Sequence, residues 1–146
     1  FIKAYKIAEQ ILRGEIRSAE NQAEGTRATK EEIEKQGNPE ILILEKYMKW
    51  EKACSESINT KIVLYPSLRK DGWCLEVVRD NLDIYDSARI LFPSEWRGVR
   101  DEDIARVSGV PTAMFCHRGG WLAGATTKEG ALEMAKKALE CYNMEN

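Results

Sequence analysis

Three observations predict an α+β fold. Apolar residues recur at helical spacing over the first 36 residues, short aliphatic runs bounded by turn residues fill the middle, and small apolar residues form a stripe behind a capping signal at the end. The expected architecture is a set of N-terminal helices, then a small mixed sheet of about five strands, with a C-terminal helix packed on it. We expect one domain over 1–146, with a helical lead-in over 1–36 and a sheet-containing core over 40–146.

Each element has its own signal. Ile2, Tyr5, Ala8, Ile11 and Leu12 mark one helical face, which Ile16, Ala19 and Ala23 continue more weakly. Gly25-Thr26 predicts a break, and the capping box Thr29-x-x-Glu32 a second short helix, stopped by Gly37-Asn38-Pro39. Residues 41–44 read as a strand, 46–55 as a short helix, and 61–65 and 73–79 as two strands joined by a hairpin-length loop. The polar run 80–89 reads as loop, and 101–107 as a short helix ended by Ser108-Gly109. Residues 112–117 and 121–125 form a strand pair around Gly119-Gly120. Thr126-x-x-Glu129 is a capping box for the last helix, whose stripe of Ala131, Leu132, Ala135, Ala138 and Leu139 suits close packing on a sheet.

Composition narrows the function classes. The 146 residues are 43% hydrophobic and 32% charged, with a net charge of -2, and the mean hydropathy is -0.47. That balance argues against broad charge-driven nucleic-acid binding but leaves room for one small basic site. No apolar run approaches a bilayer span, so no membrane contact is expected. Four cysteines without a C-x-x-C pair and a single histidine exclude a zinc finger. They read as reduced thiols of an intracellular, cytoplasmic protein, with mitochondrion or nucleus as alternatives in a eukaryote. Because the chain starts at Phe1 rather than Met, we expect it to be part of something longer.

The chemistry concentrates in PTAMFCHRGGWLAGAT, residues 111–126. This stretch is apolar but for its centre, where the only histidine, His117, precedes Arg118 and the pair Gly119-Gly120, with Trp121 and Gly124 beyond. The reading is a buried or half-buried imidazole and guanidinium beside bare backbone, with the following helix start supplying amides to an anion pocket. A satisfied core histidine and a tight glycine turn are the plainer alternative. Cys116 and His117 are adjacent on a strand, so their side chains diverge and form no catalytic thiol pair. Asp80, Asp83 and Asp86 lack the rhythm of a calcium loop and read as solvated. In PSEWRGVRDED, Arg97 or Arg100 could fork onto phosphate while Trp96 stacks on a base; alternatively the arginines pair with the neighbouring carboxylates.

Residues 92–139, in which PSEWRGVRDED, VSGVP, FCHRGGWLAGA and TKEGAL occur in that order, resemble the C-terminal end of the melanocyte-proliferating-gene (MYG) family of the DHH phosphoesterase superfamily. The resemblance implies a metal-dependent 3′→5′ RNA exonuclease whose N-terminal domain holds two divalent ions, manganese or magnesium, and whose smaller DHHA-like domain presents a glycine motif to the substrate. Carried over, His117, Gly119, Gly120 and Gly124 fall on that motif, and Trp96, Arg97, Gly98, Arg100 and Asp101 on its W-R-G-x-R-D tract. Trp121 stands where the family often has Phe, and Ala123 replaces a glycine. With one histidine and no D-H-H motif, the chain offers no catalytic residue and no metal or other cofactor site of its own; the metals belong to an N-terminal catalytic domain outside it.

Two function classes follow. In the first, the chain is the substrate-binding part of such an exonuclease, inert alone. His117 and Arg118 hold phosphate or ribose of single-stranded RNA or an oligonucleotide, the glycines allow close approach, and Trp96 or Trp121 stacks. In the second, it is a dimerisation or lid domain, a homodimer being one form, with Trp96 in the core and Arg97 and Arg100 paired to Asp101 or Glu102. A weaker third class is a nucleotide or small-molecule sensor using the same glycine turn.

Overall fold

A computed structural model describes residues 2–146, apart from the side chains at positions 2, 3, 5, 15 and 16, so the apolar stripe expected at Ile2, Tyr5 and Ile16 lies outside the described side chains. The element order is α1 (Ile2–Lys35), β1 (Ile41–Ile43), α2 (Glu51–Glu56), β2 (Ile62–Pro66), β3 (Trp73–Val77), a 3-10 turn (Ser94–Trp96), α3 (Asp101–Ser108), β4 (Ala113–Cys116), β5 (Leu122–Ala125) and α4 (Lys128–Glu145). The fold is α+β, with one five-stranded mixed sheet in the order β1-β2-β3-β5-β4. Only β1 and β2 run parallel, which requires the crossover through α2; the other pairs are antiparallel.

α1 is one helix without the expected break. Gly25 sits inside it at a close approach, where a Cβ would lie 2.8 Å from the backbone oxygen of Lys49. Thr29 caps nothing; it is buried, and its Oγ1 donates to the carbonyl of Gly25 at 2.7 Å. The stop at 37–39 is real: Gly37 and Asn38 have φ of 75° and 55°, and the amide of Asn38 reaches back to the carbonyl of Ile33 at 2.8 Å. The same helical face that buries Thr29 and Ile33 continues N-terminally as Ile7, Ala8, Ile11 and Leu12, all exposed.

Two clusters sandwich the sheet. One joins α1 and α2 to β1 and β2 through Ile33, Leu42, Trp50, Cys54, Val63 and Tyr65. The other lies under α4 and α3, built from Leu64, Leu75, Phe92, Trp96, Ile104 and Met134. β2 is buried from both sides, which explains its unbroken apolar run. α4 packs by its small stripe, with Ala131, Ala135 and Ala138 buried. Its cap is Thr127 rather than Thr126: Thr127 Oγ1 accepts from the amide of Gly130 at 3.0 Å. α2 is shorter than expected, because residues 46–50 form a loop that places Trp50 in the core.

Candidate nucleic-acid interface

The strand pair β4–β5 creates the site by bringing residues 117–121 to one end of the sheet as a hairpin turn. His117 closes the ladder through its amide to the carbonyl of Leu122 at 2.8 Å, and its carbonyl accepts from Gly120 N–H at 2.9 Å. Gly120 has φ of 74°, a backbone that only glycine adopts without strain. Gly119 needs its bareness for a different reason: a Cβ would lie 2.6 Å from Trp121 Cδ1.

His117 and Arg118 are exposed, which corrects the expectation of burial. The imidazole packs on Trp121, with ring centroids 4.8 Å apart. Its Nδ1 accepts from the amide of Gly119 at 3.0 Å, so the neutral ring carries its proton on Nε2 and offers that N–H outward. Arg118 forms no ion pair and no side-chain hydrogen bond among the described residues. The amides of Gly119 and Gly120 are spent on His117 and do not meet an anion, whereas the side chains of His117 and Arg118 are free to do so. The start of α4 plays no part there, since four residues of β5, roughly 13 Å of strand, separate the turn from Thr127.

The W-R-G-V-R tract supports the turn from beside it. Arg97 Nε donates to the carbonyl of Phe92 at 2.9 Å, and its side chain lies against Gly120. The amide of Phe92 in turn donates to Gly120's carbonyl at 2.8 Å. The amides of Gly98 and Cys116 pair with the carbonyls of Cys116 and Val99, both at 3.0 Å, and Arg100 bridges to Phe115. The tract therefore runs as an irregular extra strand along β4. Arg97 is half-buried and Arg100 exposed, and neither pairs with Asp101 or Glu102 among the described residues.

Two candidates lie elsewhere. Trp96 is 4% exposed and stacked on Phe92, so its indole offers no face to a base. Gly124 is buried in mid-sheet, where the Phe115 ring covers it; a Cβ would come within 2.6 Å of Phe115 Cε1. Cys116 and His117 do diverge. Burial in the α4-side core pushes the Cys116 thiol up to about 11.

Beside the turn opens a cavity of about 440 Å³, lined by Glu76, Arg79, Tyr85, Leu91, Gly119 and Trp121 among others. Glu76 Oε2 accepts from the hydroxyl of Tyr65 at 2.8 Å, and burial raises the Glu76 carboxyl above the usual range. Gly119 and Trp121 were singled out from the sequence, but Glu76, Arg79, Tyr85 and Leu91 were missed because strand and loop contribute them from separate places. One signal was available: Glu76 is the single carboxylate in the apolar run WCLEVV.

Among the described residues no group of three or more His, Cys, Asp or Glu comes together. Asp80 is bound instead to Arg89 Nε at 2.7 Å. No helix among the described residues is long and apolar enough to cross a membrane.

A fold of this kind, with a His-Arg-Gly-Gly turn that exposes His117 and Arg118 and is braced by a W-R-G-x-R tract, defines a class that comparison with known proteins resolves. Residues 1–139 match the model of the MYG1 exonuclease family, described as Uncharacterised protein family (UPF0160). A MYG1 protein of Schizosaccharomyces pombe is 34% identical over 119 residues, covering 76% of this chain and 36% of the relative. The MYG1 exonuclease of Homo sapiens is 40% identical over 67 residues, covering 46% of this chain and 18% of the relative. A MYG1 protein of Caenorhabditis elegans is 35% identical over 83 residues, covering 56% of this chain and 24% of the relative. The chain thus spans about a third or less of the length of these curated relatives. No solved structure matches it. The chain belongs to the MYG1 exonuclease family.

Proposed function

We propose that this domain binds single-stranded RNA or an oligonucleotide for a 3′→5′ exonuclease of the DHH superfamily, and that it is inert by itself. His117 Nε2–H and the Arg118 guanidinium contact phosphate oxygens, and Trp121 and Gly119 shape the adjoining surface. Divalent manganese or magnesium, held by a catalytic domain outside this chain, supplies the hydrolytic chemistry. One observation carries the reading: two exposed donors, one without any partner among the described residues, stand on a turn that Gly120 and Arg97 hold in one conformation. The human relative is named an exonuclease, which supports a nucleic-acid substrate.

Arg118 acts here as a fork on phosphate and His117 as a single donor; neither activates water. Titration of a labelled short RNA against the chain, followed by anisotropy, tests this. Arg118→Ala and His117→Ala should each weaken binding about fivefold to tenfold at low salt, and the dependence on salt should flatten in Arg118→Ala. Binding that is equal in all three proteins would overturn the assignment.

A second reading, a lid or dimerisation domain, draws on the half-buried Cys74, Leu122 and Phe115, which sit on the sheet face away from α4. A solution mass of twice the chain, unchanged by RNA, would favour it.

A further inference from the structure

The geometry points to the cavity beside the turn as a nucleobase pocket that takes guanine, its edge held between Glu76 and Arg79. This rests on the reading of residues 117–121 as a nucleic-acid interface and adds what that interface distinguishes.

Charge decides against a phosphate in the cavity. Its lining holds two carboxylates, Glu76 and Asp86, against one guanidinium, Arg79. A phosphate would be repelled on balance, whereas a neutral base bearing N–H donors would be drawn in. The walls suit a flat ring: Val77, Ala88 and Leu91 are apolar, and Trp121 contributes an indole.

Both polar groups keep bonding capacity in reserve. Of the Glu76 carboxylate, only Oε2 meets a protein donor among the described residues, the hydroxyl of Tyr65. Arg79 is half-buried, yet it makes no ion pair and no side-chain hydrogen bond among the described residues. A half-buried arginine with no partner stands beside a half-used carboxylate that it does not reach. That arrangement asks for a ligand presenting donors and acceptors at once. Guanine does so: its N1–H and N2–H₂ are adjacent donors for a carboxylate, and its O6 and N7 accept from an arginine fork. Tyr85, 82% exposed, lies on the loop that contributes to the lining. Because Gly119 and Trp121 belong to both the turn and the cavity, a phosphate at His117 and Arg118 and a base in the cavity can come from one nucleotide or adjacent ones.

The test uses the 146-residue chain with three probes. The first two are short RNAs alike except at the 3′ end, one closing on guanosine and one on an abasic ribose. The third is guanosine itself, which has no phosphate. The guanosine-ended RNA should bind about tenfold tighter than the abasic one. Glu76→Gln presents an amide donor to N1–H, and Arg79→Lys keeps the charge but loses the fork. Both should bring the two RNAs within about twofold, while Arg118→Ala weakens both alike. Guanosine alone should quench tryptophan fluorescence in the parent chain but not in Arg79→Lys. RNA that binds equally well with and without its terminal base overturns the pocket and leaves the phosphate turn standing. A guanine preference that survives in both pocket variants also overturns it. Guanosine binding that is sensitive to Arg79, with no difference between Arg118→Ala and parent on RNA, upholds the pocket and overturns the turn. No response to guanosine and no base preference overturns the pocket.

Discussion

The Arg97 side chain lies across Gly120, close enough that a Cβ on that glycine would come within 2.7 Å of Arg97 Nε. The two residues belong to different parts of the chain and lock each other. Gly120 supplies the bare, positive-φ backbone, and Arg97, held by the carbonyl of Phe92, fills the space over it. Their contact fixes where His117 and Arg118 stand.

Gly120→Ala should therefore cost about 1–3 kcal/mol of stability, from the unfavourable φ and the collision together. In an Arg97→Ala background the collision is gone, so the cost of Gly120→Ala should shrink towards the backbone share alone. Urea denaturation of the four proteins measures both numbers. Strict additivity would show that the contact is not tight.

Trp96→Ala should lose about 3–5 kcal/mol, the loss of a buried aromatic side chain from a packed core. Trp96→Phe should cost less and leave RNA affinity as it was, because the indole meets Phe92 rather than solvent. Weakened RNA binding in a folded Trp96→Phe protein would return this residue to the interface.

Glu76 makes stability depend on pH. Burial is the main cause of its raised pKa, with the Tyr65 hydroxyl opposing the rise. The folded chain therefore holds this proton more tightly than the unfolded chain. Its favourable contribution is present below the ordinary carboxylate pKa and is lost as pH rises through the raised folded value. Glu76→Gln should be more stable than the parent at neutral pH, with the difference closing as pH falls through the carboxylate range. Thermal unfolding across pH 4–8 reads this; a constant difference would contradict the buried carboxylate.

Thiol reactivity should sort by burial. Cys54 and Cys116 are buried, and burial pushes their thiols up to about 12 and about 11. A disulfide reagent at neutral pH should reach neither until the chain unfolds, while the half-buried Cys141 reacts in the native state. Mass spectrometry of the labelled chain identifies the order.

Much of the fold could be read from the residues. Strand positions, the stop at 37–39 and the small-residue face of α4 each follow from local patterns that tertiary packing did not override. The misreadings share one cause: a glycine or threonine signals the same thing in sequence for opposite structural reasons. Gly25 resembled a breaker but marks a close approach, and Thr29 resembled a cap but bonds back into its own helix. Likewise Gly124 and Trp96 stand within recognisable motifs, yet one lies under Phe115 and the other in the core. Motif order gives no sign of burial. The His117–Gly120 turn was legible because its residues are consecutive; the cavity beside it was not, because Glu76, Arg79, Tyr85 and Trp121 meet only after folding.

The most direct measurement is to map backbone amide shifts of the chain by NMR while a short single-stranded RNA is added. The expected result is that the largest shifts fall on residues 117–121 and the flanking cavity, with residues 126–130 at the far end of β5 little changed. Shifts centred on the start of α4, or spread without focus over the surface, would contradict a phosphate site at the His117–Arg118 turn.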